Sequence, residues 1–228
     1  MRHIEFGVMI FAAGFGTRMG SLVKDRPKPL IPVAGRTLID HALDQVSEAN
    51  VHPVVVNAHY KSHMMRDALR GHNVTVVEEQ PRVLDTGGGL KNAASLFSTP
   101  YVYTLNSDAV WSGPNVFRTL ANAWDPDRMD ALMLLVEPQN TFGRTAGDLA
   151  MDGDGRLHRQ GPLSYTGAQI IRLGTLDAVE EPVFSLNTVW DIAMSRGRLF
   201  GAVYPGKWCD VGHPEGIITA ENMVNSHV

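Results

Sequence analysis

The sequence predicts an α/β fold: a Rossmann-like mixed, mainly parallel sheet flanked by helices, with a small β-rich insertion. First, short apolar segments alternate with helical patterns, which is typical of strands joined by crossover helices. Second, the apolar segments at 54–56, 74–77 and 133–136 are largely continuous, as expected for strands that are covered on both faces. Third, the pattern changes near Gly143, where strand and turn signals replace the alternation.

In the first half of the chain, each predicted strand is followed by a predicted helix. The pairs in order are GVMIFAAG with TLIDHALDQVSEA, PVVVNAH with KSHMMRDALRG, VTVVEE with GGGLKNAASLF, and YVYTLN with PNVFRTLANAW. A further strand is predicted at DALMLLVE. This order predicts parallel strands joined through helices.

The second half begins with the β-rich insertion and then returns to the alternation. The D-G-D-G at 152–155 predicts a tight hairpin between strands near 149–151 and 157. The later elements are a strand at YTGAQIIRL, a helix at SLNTVWDIAMSRG that Gly197 stops, a strand at LFGAVYP and a helix from Pro214 to about 224.

Length and composition limit the classes of function. The 228 residues, 44% of them hydrophobic, suffice for one domain with a sizeable core. The formal charge of −4 disfavours nucleic acid as a partner. The single cysteine, Cys209, excludes an internal disulfide framework and favours a reducing cytoplasm. We recognise neither a signal peptide nor a membrane-spanning segment, so we expect a soluble, cytoplasmic protein without a membrane partner.

A glycine-rich segment, FAAGFGTRMG, follows the first predicted strand, where α/β folds bind phosphates. Glycines there let backbone N–H groups approach an anion. Two common motifs do not match, because Met19 replaces the last glycine of G-x-G-x-x-G and Ser21 stands where a Walker loop has lysine. The loop that follows is locally basic and suits a polyphosphate, although a solvated basic loop explains it equally well when it is taken alone. Its charged residues are Arg18, Lys24, Arg26 and Lys28 against Asp25.

Over nearly its whole length the chain resembles the sugar-1-phosphate nucleotidyltransferases. The family signature is matched by FAAGFGTRM followed by RPKPLIPVAG, and EQPRVLDTGGGLKNA resembles the base-binding loop. NSD and KWCDVGHPE resemble the segments of two metal-binding aspartates, and YTGAQII resembles the sugar-binding turn. The resemblance implies the nucleotide-diphospho-sugar transferase type of fold in one domain, 1–228. Its nucleotide-binding part would be about 1–110 and its sugar-binding part about 111–228.

The reaction that the resemblance implies transfers a nucleotidyl group from a nucleoside triphosphate to a sugar 1-phosphate, with release of pyrophosphate and with Mg²⁺ as the cofactor. Within the family, the short length, the T-G-G-G loop and W-x-D-V-G most resemble the members that use UTP and N-acetylmuramic acid 1-phosphate, and this resemblance implies those substrates and a role in cell wall recycling. Two alternatives stay open: a mannose- or heptose-1-phosphate guanylyltransferase, and a non-catalytic nucleotide-sugar sensor. The oligomeric state is expected to be a monomer or a small homo-oligomer.

The resemblance also implies roles for individual residues. Arg18 would hold the β- and γ-phosphates, Lys28 would lie near the α-phosphate, and Asp108 would complete the catalytic set. Asp108 and Asp210 would be the metal ligands, since hard carboxylates suit Mg²⁺. The expected nucleotide-binding residues are Ala12, Ala13, Gly14, Gly16, Thr17, Arg18, Gln80, Gly87 and Gly88. The expected sugar-binding residues are Asn106, Thr166 and Gly167.

Some residues depart from the family pattern or are weaker candidates. Family members carry a glutamate and a second lysine for the sugar phosphate, but here we find Ser185 and Asn187, with Arg144 or Lys207 as candidate cations. Cys209 lacks the partner pattern of a nucleophile. The i, i+4 pair His59 and His63 has no third ligand, so a zinc site there is not favoured.

Overall fold

The structure is a computed structural model that describes residues 6–226. Fourteen strands are present in these residues. In chain order they are β1 (Val8–Phe11), β2 (Pro32–Val33), β3 (Arg36–Thr37), β4 (Val54–Ala58), β5 (Thr75–Glu78), β6 (Tyr101–Asn106), β7 (Ala109–Ser112), β8 (Ala131–Val136), β9 (Thr141–Phe142), β10 (Leu149–Met151), β11 (Leu157–Arg159), β12 (Ser164–Arg172), β13 (Leu199–Val203) and β14 (Lys207–Asp210).

Six α-helices accompany these strands within the same described residues. They are α1 (Leu38–Ala49), α2 (Ser62–Ala68), α3 (Asp85–Ala93), α4 (Val116–Ala123), α5 (Leu186–Ser195) and α6 (Pro214–Asn225). Helix α1 begins with a capping box, in which the Asp40 N–H donates to Thr37 Oγ1 and the Thr37 N–H donates to Asp40 Oδ2. This exchange satisfies two backbone donors at the helix start.

The main sheet has seven strands in the order β13–β8–β12–β6–β1–β4–β5. Strand β12 is antiparallel to both of its neighbours, and the other neighbouring pairs are parallel. The predicted mixed, mainly parallel sheet flanked by helices is therefore confirmed. Hydrophobic clusters cover the sheet on both faces, one centred on residues such as Ile10 and Leu105 and the other on residues such as Met9 and Met133.

The predicted hairpin of the insertion is formed by β10 and β11. Its turn is held by Asp152, whose carboxylate accepts the N–H groups of Asp154 and Arg156. Gly155 has a positive φ of 86°, which glycine adopts without a steric cost. The D-G-D-G pattern was therefore a correct turn signal.

The segment between β1 and α1 contains more structure than the long loop that the sequence predicts. It forms 3₁₀ turns over Thr17–Val23, which a kink at Gly20 interrupts, a further 3₁₀ turn at Lys28–Leu30, and a small ladder of β2 with β3. No helix in the described residues is long and apolar enough to span a membrane.

Candidate functional site

A cavity of about 320 Å³ lies where the glycine-rich segment meets the carboxyl ends of β1 and β6. We call it the first cavity. Many of the residues selected from the sequence line it, although they are spread over almost a hundred positions of the chain. They are Ala12, Ala13, Gly14, Gly16, Thr17, Arg18, Lys28, Asn106 and Asp108.

The central contact of the first cavity is an ion pair between Lys28 and Asp108. Lys28 Nζ lies 2.8 Å from Asp108 Oδ2, and Lys28 is only 8% exposed. The backbone around Lys28 is stiffened by Pro27 and Pro29, since proline fixes φ and restricts the preceding residue. A Cβ at Gly16, whose φ is 64°, would lie 2.8 Å from the Lys28 Cβ. Glycine is therefore required for the close approach of the glycine-rich segment to the lysine.

The two aspartates come together because β7 pairs with β14. In this antiparallel pair Asp210 lies opposite Ala109, the residue that follows Asp108. The N–H of Val211 also donates to the Asp108 carbonyl at 2.9 Å. The sequence could not predict this pairing, because the two strands are separated by about half of the chain and carry no pairing signal of their own.

Several charged side chains near Asp210 influence its pKa. Burial raises the pKa of Asp210 above its ordinary value, and the nearby Asp108 carboxylate raises this pKa further. Lys28, Arg18 and Arg144 act in the opposite direction. A carboxylate whose charge is disfavoured by burial and by a neighbouring carboxylate suits a divalent cation, which would favour its charged form.

A metal ion here would take its protein ligands from this pair. Among the described residues, no group of three or more His, Cys, Asp or Glu side chains could hold a metal ion. Two carboxylates alone leave coordination positions for phosphate oxygens and water, which is how Mg²⁺ is usually bound beside phosphates.

A buried hydrogen-bond network supports the glycine-rich segment, and sequence reasoning missed it. The Ala12 N–H donates to Asn57 Oδ1 at 2.7 Å, and Asn57 Nδ2 donates to Glu79 Oε1 at 2.8 Å. The other carboxylate oxygen of Glu79 accepts the Leu84 N–H at 2.7 Å. Glu79, which is 1% exposed, therefore links the glycine-rich segment to the start of α3. Glu79 ends the predicted strand VTVVEE and begins the segment that resembles the base-binding loop, and the signal in the sequence is a charged residue at the end of an apolar strand.

Gln80, Gly87 and Gly88 do not line the first cavity. The amide of Gln80 donates to Glu78 Oε1 at 2.9 Å. The N–H groups of Gly87 and Gly88 both donate to the Phe184 carbonyl, and a Cβ on Gly87 would lie 2.3 Å from the Phe184 ring. The space beside these glycines is thus occupied by the segment before α5, and the chain contributes Val83, Asp85 and Thr86 to the cavity instead. That Gln80, Gly87 and Gly88 contact the base stays a prediction.

Thr166 and Gly167 lie behind the cavity wall. Thr166 is fully buried, and its hydroxyl donates to the Leu134 carbonyl at 2.9 Å. Gly167 has a φ of 86°, and a Cβ there would lie 2.7 Å from the Asn106 Cβ. The turn therefore positions Asn106, which lines the first cavity and two adjoining ones.

The adjoining cavities extend the site toward the insertion. The second cavity, of about 290 Å³, lies beside β12 and α5, and the third cavity, of about 760 Å³, lies beside Asp108 and Asp210. Ser185 and Asn187, at the positions where the family glutamate and lysine were sought, line the second cavity. Of the two candidate cations, Arg144 lines both the second and the third cavities, whereas Lys207 lines none of the three.

The weaker candidates Cys209, His59 and His63 line none of the three cavities. Burial raises the pKa of the Cys209 thiol to about 12, so the reactive thiolate is scarce at neutral pH. His59 precedes α2 and its Nδ1 lies 2.8 Å from the Glu79 carbonyl, whereas His63 is an exposed residue of the helix. The two histidines therefore do not share a helical face.

Comparisons with known proteins agree with this architecture. The model of the MobA-like NTP transferase domain matches residues 8–181. The N-acetylmuramate alpha-1-phosphate uridylyltransferase of Caulobacter vibrioides is 36% identical, covering 93% of this chain and 94% of that protein. The enzyme of that name from Neisseria meningitidis is 30% identical, covering 90% and 92%.

Solved structures share the fold at low sequence identity. The inositol-1-phosphate CTP transferase of T. maritima superposes with a TM-score of 0.78 at 16% identity, covering 98% of both chains. HddC from Yersinia pseudotuberculosis, complexed with GMP-PN, superposes with a TM-score of 0.73 at 21% identity, covering 95% of this chain and 98% of that one. Together with the family match, the sequence relatives identify this chain as a nucleotidyltransferase, a member of the MobA-like NTP transferase family.

Proposed function

We propose that this enzyme transfers the uridylyl group of UTP to N-acetylmuramic acid 1-phosphate and releases pyrophosphate. The observation that carries the proposal is the convergence of Lys28, Asp108, Asp210 and Arg18 beside the glycine-rich segment. The choice of substrates is supported by the names of the two relatives, each of which aligns with at least nine-tenths of this chain.

The chemistry is a direct displacement at phosphorus. An oxygen of the sugar phosphate attacks the α-phosphorus of UTP, a new P–O bond forms, and the bond from the α-phosphorus to the bridging oxygen breaks. The electron pair of that bond leaves with pyrophosphate. Such a displacement needs positioning and charge stabilisation rather than a protein nucleophile, which agrees with the buried, weakly acidic thiol of Cys209.

In this proposal Lys28 and Arg18 stabilise the charge that develops during the displacement. Lys28 donates to the α-phosphate and the incoming phosphate, and Asp108 holds its ammonium group in place at 2.8 Å. Arg18 binds the β- and γ-phosphates together with backbone N–H groups of residues 13–17. An arginine binds phosphate oxygens through its planar fork, so Arg18 stabilises the departing pyrophosphate.

Mg²⁺ completes the site in this proposal, with Asp108 and Asp210 as its protein ligands. When bound, the metal neutralises charge on the phosphate oxygens. The pKa of Asp210, which burial raises and Asp108 raises further, supports this assignment, because a nearby cation would favour the charged form of the carboxylate.

The other residues predicted for the site are assigned to the nucleotide or to the sugar. We assign Ala12, Ala13, Gly14, Gly16, Thr17, Gln80, Gly87 and Gly88 to the nucleotide and Asn106 to the sugar, with Thr166 and Gly167 holding Asn106. The nucleotide-binding part is about 1–110 and the sugar-binding part about 111–228. A cytoplasmic location and a role in cell wall recycling belong to the proposal, as does a monomer or small homo-oligomer.

A panel of pyrophosphate-release assays tests the proposal. UTP, dTTP, GTP and CTP are each combined with the 1-phosphates of N-acetylmuramic acid, N-acetylglucosamine, glucose and mannose, with and without Mg²⁺. We expect Mg²⁺-dependent release that is fastest with UTP and N-acetylmuramic acid 1-phosphate. Release with only GTP and mannose 1-phosphate would indicate a guanylyltransferase, and no release with any pair would favour a nucleotide-sugar sensor.

A further inference from the structure

Arg159 is a charged residue of the second cavity that the proposed mechanism does not use. It ends β11, and its guanidinium donates to Asp191 Oδ1 on α5 from both Nε (3.0 Å) and Nη2 (2.8 Å). The guanidinium also lies 6.0 Å from the centre of the Trp190 ring. The arginine is therefore held in one orientation by two neighbours on a single helix.

The pair with Asp191 leaves Arg159 able to bind a further anion. Both side chains are substantially exposed, 37% for Arg159 and 62% for Asp191, and an exposed ion pair of this kind is weak. Its hydrogen bonds come from Nε and Nη2, and no described residue accepts a hydrogen bond from Nη1. Nη2 also donates to the Asn187 carbonyl at 3.4 Å, so Nη1 is the nitrogen available to a further anion while Nε and Nη2 keep the side chain in place.

The other charged groups of the second cavity are Arg144, Asp148 and Asp85. Arg144, which also lines the third cavity, pairs with Asp148 at 2.6 Å, and the other carboxylate oxygen of Asp148 accepts the Tyr165 N–H at 3.1 Å, so the charges of this pair compensate each other. Asp85 also lines the first cavity. Arg159 lines only the second cavity, and it is therefore the cation at the part of the site that is remote from Asp108.

The proposed acceptor has two anionic groups that need separate partners. Its phosphate is on C1 of the sugar, whereas its carboxylate belongs to the lactyl ether on C3, several bonds away. The first and second cavities share lining residues such as Phe11, Thr86 and Asn106, so an acceptor with its phosphate beside Lys28 and Asp108 can extend its ring into the second cavity. A carboxylate there can accept a charge-assisted hydrogen bond from Nη1 of Arg159.

Resting on the proposed function, we propose that Arg159 binds the lactyl carboxylate and so selects N-acetylmuramic acid 1-phosphate over neutral sugar 1-phosphates. The arginine contacts a substituent that is distant from the reacting phosphorus. Its contribution is therefore made to binding and falls on KM rather than on kcat.

The test compares three acceptors in three proteins: the wild type, Arg159→Gln and Asp191→Asn. With saturating UTP and Mg²⁺, kcat and KM are measured for N-acetylmuramic acid 1-phosphate and N-acetylglucosamine 1-phosphate, which lacks the lactyl group. Arg159→Gln is expected to lower kcat/KM for the first acceptor on the order of 10- to 100-fold, the usual size for a lost charge-assisted hydrogen bond. The value for the second acceptor should stay within about twofold. The methyl ester of N-acetylmuramic acid 1-phosphate is the third acceptor, which keeps the lactyl group but lacks the carboxylate charge.

Asp191→Asn is the matched control, because the amide oxygen can still accept the hydrogen bonds that hold Arg159 while the negative charge is removed. We expect this variant to keep the wild-type preference for the acidic acceptor. Equal losses on both acceptors in Arg159→Gln, or the same loss of preference in Asp191→Asn, would overturn the inference, because the pair would then only fasten the hairpin to α5. A wild-type enzyme that uses none of these acceptors with UTP would contradict the proposed function, and the inference with it.

Discussion

Replacing Lys28 by methionine tests the most specific contact of the proposed mechanism. Methionine retains an unbranched side chain of similar length and removes only the charge and the hydrogen bond to Asp108. Because Lys28 is 8% exposed and flanked by two prolines, solvent does not replace the lost ammonium group easily. The charge that develops on the α-phosphate would lose a donor that is fixed in place before the reaction begins.

The size of the effect follows from the burial and the short contact. Two unit charges about 4 Å apart interact by about 4 kcal/mol at an effective dielectric constant of about 20. This energy is an upper limit for the contribution of one such donor to stabilising the transition state. Loss of one preorganised transition-state donor typically costs about 10²- to 10³-fold in rate. We therefore expect Lys28→Met to lower kcat/KM by at least about 10²-fold, mainly through kcat.

The assay is continuous pyrophosphate release with UTP and N-acetylmuramic acid 1-phosphate, accompanied by thermal unfolding. Lys24→Met is the matched control, because Lys24 belongs to the same basic loop and is exposed. Its activity should stay within about twofold of wild type. Near-normal turnover of a folded Lys28→Met protein would remove the lysine from the mechanism.

Three further perturbations address the metal pair, the buried network and the sugar side. In EDTA at neutral pH, Asp210→Asn should raise the melting temperature, because it removes a buried charge whose pKa is raised. Lowering the pH through that pKa stabilises the wild type, so the difference in melting temperature between wild type and variant should become smaller. A variant that melts below the wild type would contradict this. Glu79→Gln must turn an amide N–H toward the donor of Asn57 or Leu84, so it should cost about 1–3 kcal/mol of stability. It should also raise KM for UTP more than KM for the sugar phosphate. Equal changes in both KM values would contradict a role of Glu79 in positioning the glycine-rich segment. Gly167→Ala should destabilise the fold by about 1–3 kcal/mol and raise KM for the sugar phosphate, because the new Cβ would displace Asn106. Unchanged kinetics would show that this turn does not position a sugar-binding residue.

The sequence predicted the main elements because their signals are local. Helix α1 has its capping box, α5 has its glycine stop, and the hairpin of β10 and β11 has its D-G-D-G turn. Continuous apolar strands indicated a sheet that is covered on both faces, and the order of strands and helices indicated parallel pairing.

The parts that the sequence did not predict depend on contacts between distant segments. The pairing of β7 with β14 sets Asp210 beside Asp108, and no spacing in the sequence encodes it. Glu79 resembled a loop carboxylate until the structure joined it to Asn57. The N–H groups of Gly87 and Gly88 donate to the carbonyl of Phe184, which lies almost a hundred positions further along the chain.

The central claim is a direct transfer of the uridylyl group from UTP to the sugar phosphate at this site. The most direct measurement follows UTP labelled with ³²P at the α-phosphate, incubated with N-acetylmuramic acid 1-phosphate, Mg²⁺ and the enzyme. We predict that the label appears in the nucleotide sugar, that none is attached to the protein in denaturing gels, and that Asp108→Asn abolishes the transfer. Label on the protein, or its absence from the nucleotide sugar, would contradict the account.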